Sequence, residues 1–120
     1  MEKKYEIGHD KRIIALRDGP WGVAGTVGGM VDGEHNLSHD GDCWVADNAR
    51  IMDNARVCEN ANVFGEACVS QQAIISGDAS VYGFTLISGS STIMGSARAF
   101  GTGLILCDVY MSGDSKANTI

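Results

Sequence analysis

The chain is poor in the features on which many soluble functions rest. Nine lysines and arginines stand against fifteen acids, for a formal net charge of −6, and the cations are scattered from Lys3 to Lys116. Generic binding to DNA, RNA or an acidic membrane needs a basic footprint that releases counterions, so that class is excluded. The four cysteines, Cys43, Cys58, Cys68 and Cys107, lack the C-x-x-C spacing of a zinc site or a redox dithiol, which predicts free thiols and no metal. No long apolar run and no signal-peptide pattern occur, so the expectation is a cytoplasmic protein without a membrane partner. There is one proline, Pro20, and no histidine from Cys43 onward.

What the chain does have is a period. Val, Ile or an equivalent residue recurs at every sixth position, at Val45, Ile51, Val57, Val63, Val69, Ile75, Val81, Ile87, Ile93, Ala99, Ile105 and Met111. Four residues after each comes a smaller beat, from Ala49, Ala55 and Ala61 through Thr85 and Ser91 to Gly103, Val109 and Ser115. A two-beat hexapeptide with no helical periodicity predicts an all-β solenoid in which each repeat is one short strand and a turn. The aliphatic beat forms the inner column, and the small beat fits the corners. Gly65, Gly77, Gly83, Gly89, Gly95, Gly101 and Gly113 follow the aliphatic beat by two, where a backbone of positive φ is expected; Asp47, Asp53 and Glu59 take that place early in the repeats.

The character of the chain changes near residue 41. Residues 1–40 hold a strand-like run at Arg12–Leu16, a turn at Asp18-Gly19-Pro20 and the glycines Gly25, Gly28 and Gly29. This segment reads as an N-terminal strand and loop cap over an open sheet edge, and residues 41–120 as the repeat solenoid.

Runs such as Asp47-Asn48-Ala49-Arg50-Ile51 and Gly77-Asp78-Ala79-Ser80-Val81 resemble the hexapeptide repeat of left-handed parallel β-helices, the hexapeptide transferase-like superfamily. More narrowly, Ile14–Asp18, Gly28-Gly29, Glu34-His35-Asn36-Leu37-Ser38 and Gly41-Asp42-Cys43-Trp44-Val45 resemble the N-terminal block of small phage and prophage hexapeptide-repeat proteins. The resemblance implies a left-handed triangular coil of three hexapeptides, so that residues eighteen apart stack and the twelve repeats make about four coils. It also implies a homo-oligomer, most often a trimer, and a setting in an infected or lysogenic bacterium or in a virion.

With that stacking, residues flanking the aliphatic beat point outward on three faces. One face aligns Phe64, Tyr82 and Phe100 with Trp44 and Arg98 beside them, a candidate ligand or partner site. A second face carries Leu86, Leu104 and Leu106, and the third Ile74 and Tyr110, which together are the candidate subunit interface.

Catalysis is not expected. Acyltransferases of the resembled superfamily use a histidine base and an extruded loop, and both are missing from the repeats; its carbonic anhydrases use three histidines, whereas His9, His35 and His39 all fall in the cap. His35 and His39 read as part of a polar loop, no cofactor is indicated, and the acidic turn residues read as solvated. The function expected is therefore that of a non-catalytic, phage-type binding protein, an accessory or anti-defence factor acting on a host protein. The alternatives are sequestration of a small nucleotide-like ligand between subunits, and an acyltransferase.

Overall fold

The computed structural model describes residues 3–118. Short strands separated by turns gather into three sheets. Sheet 1 has seven strands, in the order Tyr5–Ile7, Arg12–Ala15, Val27–Val31, Arg50–Ile51, Cys68–Val69, Phe84–Ser88 and Thr102–Cys107. Sheet 2 has five, running from Trp44–Val45 through Asn62–Val63, Ser80–Val81 and Arg98–Phe100 to Lys116–Asn118. Sheet 3 has four: Arg56–Val57, Ile74–Ile75, Thr92–Ile93 and Tyr110–Met111. The two pairings among the first three strands of sheet 1 are antiparallel, and the other pairings are parallel. The chain is thus a triangular β-solenoid of about five turns with an antiparallel N-terminal region. Among the described residues no helix is long and apolar enough to cross a membrane.

The hexapeptide period produces this shape because the side-chain repeat of a strand is two. A residue on the aliphatic beat faces inward, its two neighbours face outward, and a turn then redirects the chain onto the next sheet. Val45, Val63, Val81 and Ala99 pair in succession at eighteen-residue intervals, and all four are fully buried. From Ala49 to Ala97 the small beat is buried at the corners, where Thr85 and Ser91 replace alanine and donate their hydroxyls to the carbonyls of Tyr82 and Ser88, each at 2.8 Å; Gly103, Val109 and Ser115, in the last repeats, are not buried. Both hydroxyls are paired, so their hydrogen bonds offset the cost of taking them out of water.

The expected turn conformation is present. Asp47, Asp53 and Glu59 have φ of 58°, 57° and 59°, and Gln71 joins them at 61°. Their side chains also do something the sequence does not suggest. Each accepts a hydrogen bond from the turn N–H one coil on: Asp47 Oδ2 from Gly65 at 3.0 Å, Asp53 Oδ2 from Gln71 at 3.1 Å, Glu59 Oε1 from Gly77 at 2.9 Å and Gln71 Oε1 from Gly89 at 2.7 Å. The turn acids are therefore staples between coils, satisfying donors that the strand ladders leave over.

Two features depart from an unbroken period. The inner column begins before Val45: Val31 pairs with Ile51 and Leu37 bridges to Val57, and both side chains are buried. This extra coil raises the count from the four expected to about five, and its glycines fit a crowded place. A Cβ on Gly28 would run into the Val45 carbonyl and the Ile13 side chain, and one on Gly29 into the Ala49 carbonyl and the Val45 side chain.

The second departure overturns part of the expected interface. In the last strand of sheet 1 the register slips by one residue after Phe84↔Thr102, so that Thr85 pairs with Leu104 and Ile87 with Leu106. Gly101 and Gly103, at φ of 144° and 138°, absorb the extra residue. Leu104 and Leu106 consequently turn toward the core, and Ile105, expected inside, is 69% exposed. Of a Leu-Ile-Leu run, this phase half-buries two side chains against the core instead of one. Leu106→Asp is therefore expected to lower stability by about 2 kcal/mol or more, and Ile105→Asp by no more than about 0.5 kcal/mol. Urea denaturation of both variants checks the slip, and the opposite order would restore the unshifted register.

Candidate binding face

The outer surface of sheet 2 presents two side-chain columns. Trp44, Asn62, Ser80, Arg98 and Lys116 form one, each paired with the next. Ala46, Phe64, Tyr82, Phe100 and Asn118 form the other. Strand spacing in a sheet is about 4.8 Å, and the three aromatic rings repeat at that distance: Phe64 to Tyr82 at 4.8 Å with planes 5° apart, and Tyr82 to Phe100 at 4.9 Å with planes 2° apart. The expected ladder exists as a parallel stack. Its rings are half-buried, because each covers the next.

Trp44 differs from its expected role. It is only 5% exposed, covered by Trp21, whose ring stacks on it at 5.1 Å with an interplanar angle of 21°, and met edge-on by Tyr5 at 6.5 Å. Trp21 arrives on the loop after Asp18. A two-way backbone pairing of Gly19 with Gly22, both bonds 2.9 Å, closes that loop, and the Ala24 N–H donates to Asp18 Oδ1 at 2.8 Å. The indole Nε1 donates to the Arg17 carbonyl at 3.0 Å. Gly19 lies flat under the indole, where any Cβ would overlap it.

Beneath the tryptophans, Lys4 is fully buried, and its Nζ donates to the Cys43 carbonyl at 2.7 Å and the Gly41 carbonyl at 3.3 Å. The same nitrogen lies 3.2 Å from Cys43 Sγ and 5.4 Å from the centre of the Trp21 ring. Burial pushes the Lys4 ammonium below its ordinary pKa and the Cys43 thiol above its own, while their proximity partly offsets both shifts. His39 stacks on Tyr5 at 4.2 Å and pairs with Glu34 at 2.7 Å, and His35 meets the Asp53 carbonyl at 2.7 Å. His39 is thus tied into the cap, and His35 fastens the cap to the coil that carries Asp53.

Where the ladder meets the cap there is a cleft of about 480 Å³. Trp21, Trp44, Phe64 and Ala46 form its apolar surface, with Asp42, Asp47, Asn60 and Asn62 around them. The structure therefore brings Trp44 and Phe64 together but leaves Arg98 three rungs away along its column. The charge at the cleft is acidic, opposite to that expected from Arg98. Trp21 escapes a reading of the sequence because nothing in a Gly-rich loop encodes where its ring will lie.

On sheet 1 the outward column runs Arg50, Cys68, Leu86 and Ile105. Phe84, 64% exposed, stands beside it, and a smaller cleft of about 170 Å³ opens between Cys68, Phe84, Leu86 and Ile105. Ile74 and Tyr110 are exposed on sheet 3 as expected, with the Tyr110 hydroxyl 3.3 Å from Met94 Sδ. No protein-family model, curated protein or solved structure matches this chain.

Proposed function

We propose that this protein is a non-catalytic binding protein that takes a ligand or partner on the outer face of sheet 2 and associates with copies of itself through its other faces. The observation that carries the reading is the Phe64–Tyr82–Phe100 stack running into the Trp21–Trp44 cleft. Strand propensity alone does not call for three aligned rings, and an aromatic row ending in a walled cleft has the form of a binding site. Self-association uses Phe84, Leu86 and Ile105, which form a contiguous apolar strip on sheet 1, against Ile74 and Tyr110 on sheet 3 of the next copy. Such a heterologous contact makes a closed ring where successive copies are related by a rotation of one third of a turn, the arrangement that suits a triangular column and gives a trimer. The resemblance of the Glu34–Ser38 and Gly41–Val45 blocks to phage and prophage proteins supports an accessory or anti-defence role for that binding.

Two measurements test the reading. Small aromatic and carbohydrate compounds that raise the melting temperature of the wild-type protein are expected to lose that effect in the triple variant Phe64→Ser, Tyr82→Ser, Phe100→Ser; retained shifts would clear the ladder of a binding role. Phe84→Asp combined with Leu86→Asp is expected to reduce the mass seen by light scattering to that of one chain. An unchanged mass would remove the sheet 1 strip from the interface.

A further inference from the structure

The aromatic column has a missing rung. Phe64, Tyr82 and Phe100 occupy three successive coils, and the coil below Phe64 carries Ala46 at the same place. Two six-membered rings with centres 4.8 Å apart and planes 5° apart must overlap face to face, because side by side they would collide. One face of Phe64 is therefore covered by Tyr82, and the other is turned toward the Ala46 rung. That rung is where the cleft lies. Its volume, about 480 Å³, falls inside the range of about 300–1,000 Å³ typical of small-molecule sites.

The polar groups at the cleft define what could fill it. Asp42 donates its main-chain N–H to Asn60 Oδ1 at 3.2 Å, and its carboxylate makes no hydrogen bond to the described residues. Asp47 uses one carboxylate oxygen on the Gly65 N–H and keeps the other. No basic side chain is among the residues lining the cleft; the Lys4 ammonium and the Arg17 guanidinium lie against the Trp21 ring, 5.4 and 5.9 Å from its centre, and Lys4 offsets part of the Asp42 charge from behind that wall. Two carboxylates beside an aromatic face attract N–H donors and positive charge and repel phosphate.

We propose that this cleft is a slot for one planar heteroaromatic ring that carries N–H donors and no phosphate, a free nucleobase or nucleoside by class, which stacks on Phe64 and completes the rung that Ala46 leaves vacant. The assignment rests on the binding role of the sheet 2 face and specifies its ligand. The ring lies one strand spacing below Phe64 with Trp44 and Trp21 as its wall, and its exocyclic N–H groups donate to Asp42 and Asp47. Stacking on aromatic faces accepts any planar ring, so the carboxylates supply the selectivity.

The chain's only two tryptophans, Trp21 and Trp44, both line this cleft, so intrinsic fluorescence reads it directly. Titration with adenosine is expected to give a saturable change in emission, adenosine 5′-monophosphate to bind about tenfold or more weakly at low salt, and methyl β-glucoside, which is not planar, to give none. Ala46→Phe fills the rung with the protein's own ring and is expected to weaken adenosine binding about tenfold or more, with an unchanged circular dichroism spectrum. Asp42→Asn, which keeps the shape and removes a charge, is expected to narrow the gap between adenosine and its monophosphate, and it remains decisive if Ala46→Phe does not fold. No response to adenosine, equal binding by Ala46→Phe, a response to the glucoside, or an unchanged gap in Asp42→Asn would each overturn the slot. If adenosine fails while the ladder triple variant still abolishes ligand-induced thermal shifts, the slot falls and the broader binding role stands; if those shifts survive the triple variant, the role of the face itself falls.

Discussion

Val69→Asp is expected to leave the chain unfolded at room temperature. Val69 is fully buried at the midpoint of its column, paired between Ile51 below and Ile87 above. The column is one side chain wide, so a carboxylate placed there has no polar neighbour to pair with and no second layer into which to turn. The substitution forfeits about 1.5–3 kcal/mol of side-chain burial and adds several kcal/mol for burying an unpaired polar or charged group. A small domain holds only about 5–15 kcal/mol in all. A solenoid has a further weakness: each coil is stabilised mainly by its neighbours, so a break in the middle leaves two short stacks with new open edges. Val69→Thr, which keeps the shape, is expected to cost far less. Far-UV circular dichroism and urea titration separate the cases, and a native spectrum for Val69→Asp would mean that residue 69 does not face the interior.

The column is legible in the sequence because it rests on two arithmetic facts, a strand side-chain period of two and a coil of eighteen. Those facts also place Phe64, Tyr82 and Phe100 in line, and they set Arg98 three rungs from Trp44. What stays hidden is wherever the chain breaks its own period. Leu37 and Val45 are eight residues apart in the sequence, so the first coil, with Val31 and Leu37 inside it, reads as cap. At Leu104-Ile105-Leu106 three apolar residues in succession fit either phase of the strand, and only the glycines on both sides of Thr102 allow the slip that settles it. Trp21 depends on a loop whose course is set by a glycine pairing and by Asp18, neither of which fixes where the indole falls. The cleft therefore has one legible wall, the ladder, and one that only the fold discloses.

Asn36→Leu is expected to cost about 3 kcal/mol or more, although it replaces one side chain with another of similar size. Asn36 is fully buried and all of its hydrogen-bonding capacity is used. Its Oδ1 accepts from the main-chain N–H groups of Asp32 and Gly33, at 2.8 and 2.9 Å, and its Nδ2 donates to the carbonyls of Asp53 and Ala55, at 3.1 and 2.8 Å. One amide thus closes the short 3-10 turn Glu34–Asn36 on itself and fastens it to the coil above. Leucine strands the Gly33 N–H and the Ala55 carbonyl, at about 1–3 kcal/mol for each group that water cannot reach, whereas the Asp32 N–H keeps the Ile51 carbonyl at 3.2 Å and the Asp53 carbonyl keeps His35 at 2.7 Å. Asn36→Asp keeps the two accepted bonds, loses the two donated ones and sets a charge against two carbonyls, so it too is expected to be destabilising. The same turn holds Glu34 against His39, and His39 in turn stacks on Tyr5, which supports Trp44 from its edge. Loosening at Asn36 therefore reaches the tryptophan wall of the cleft. A lowered urea midpoint together with red-shifted tryptophan emission is the expected outcome, and a loss below about 1 kcal/mol with unchanged emission would show that the first coil does not depend on this amide.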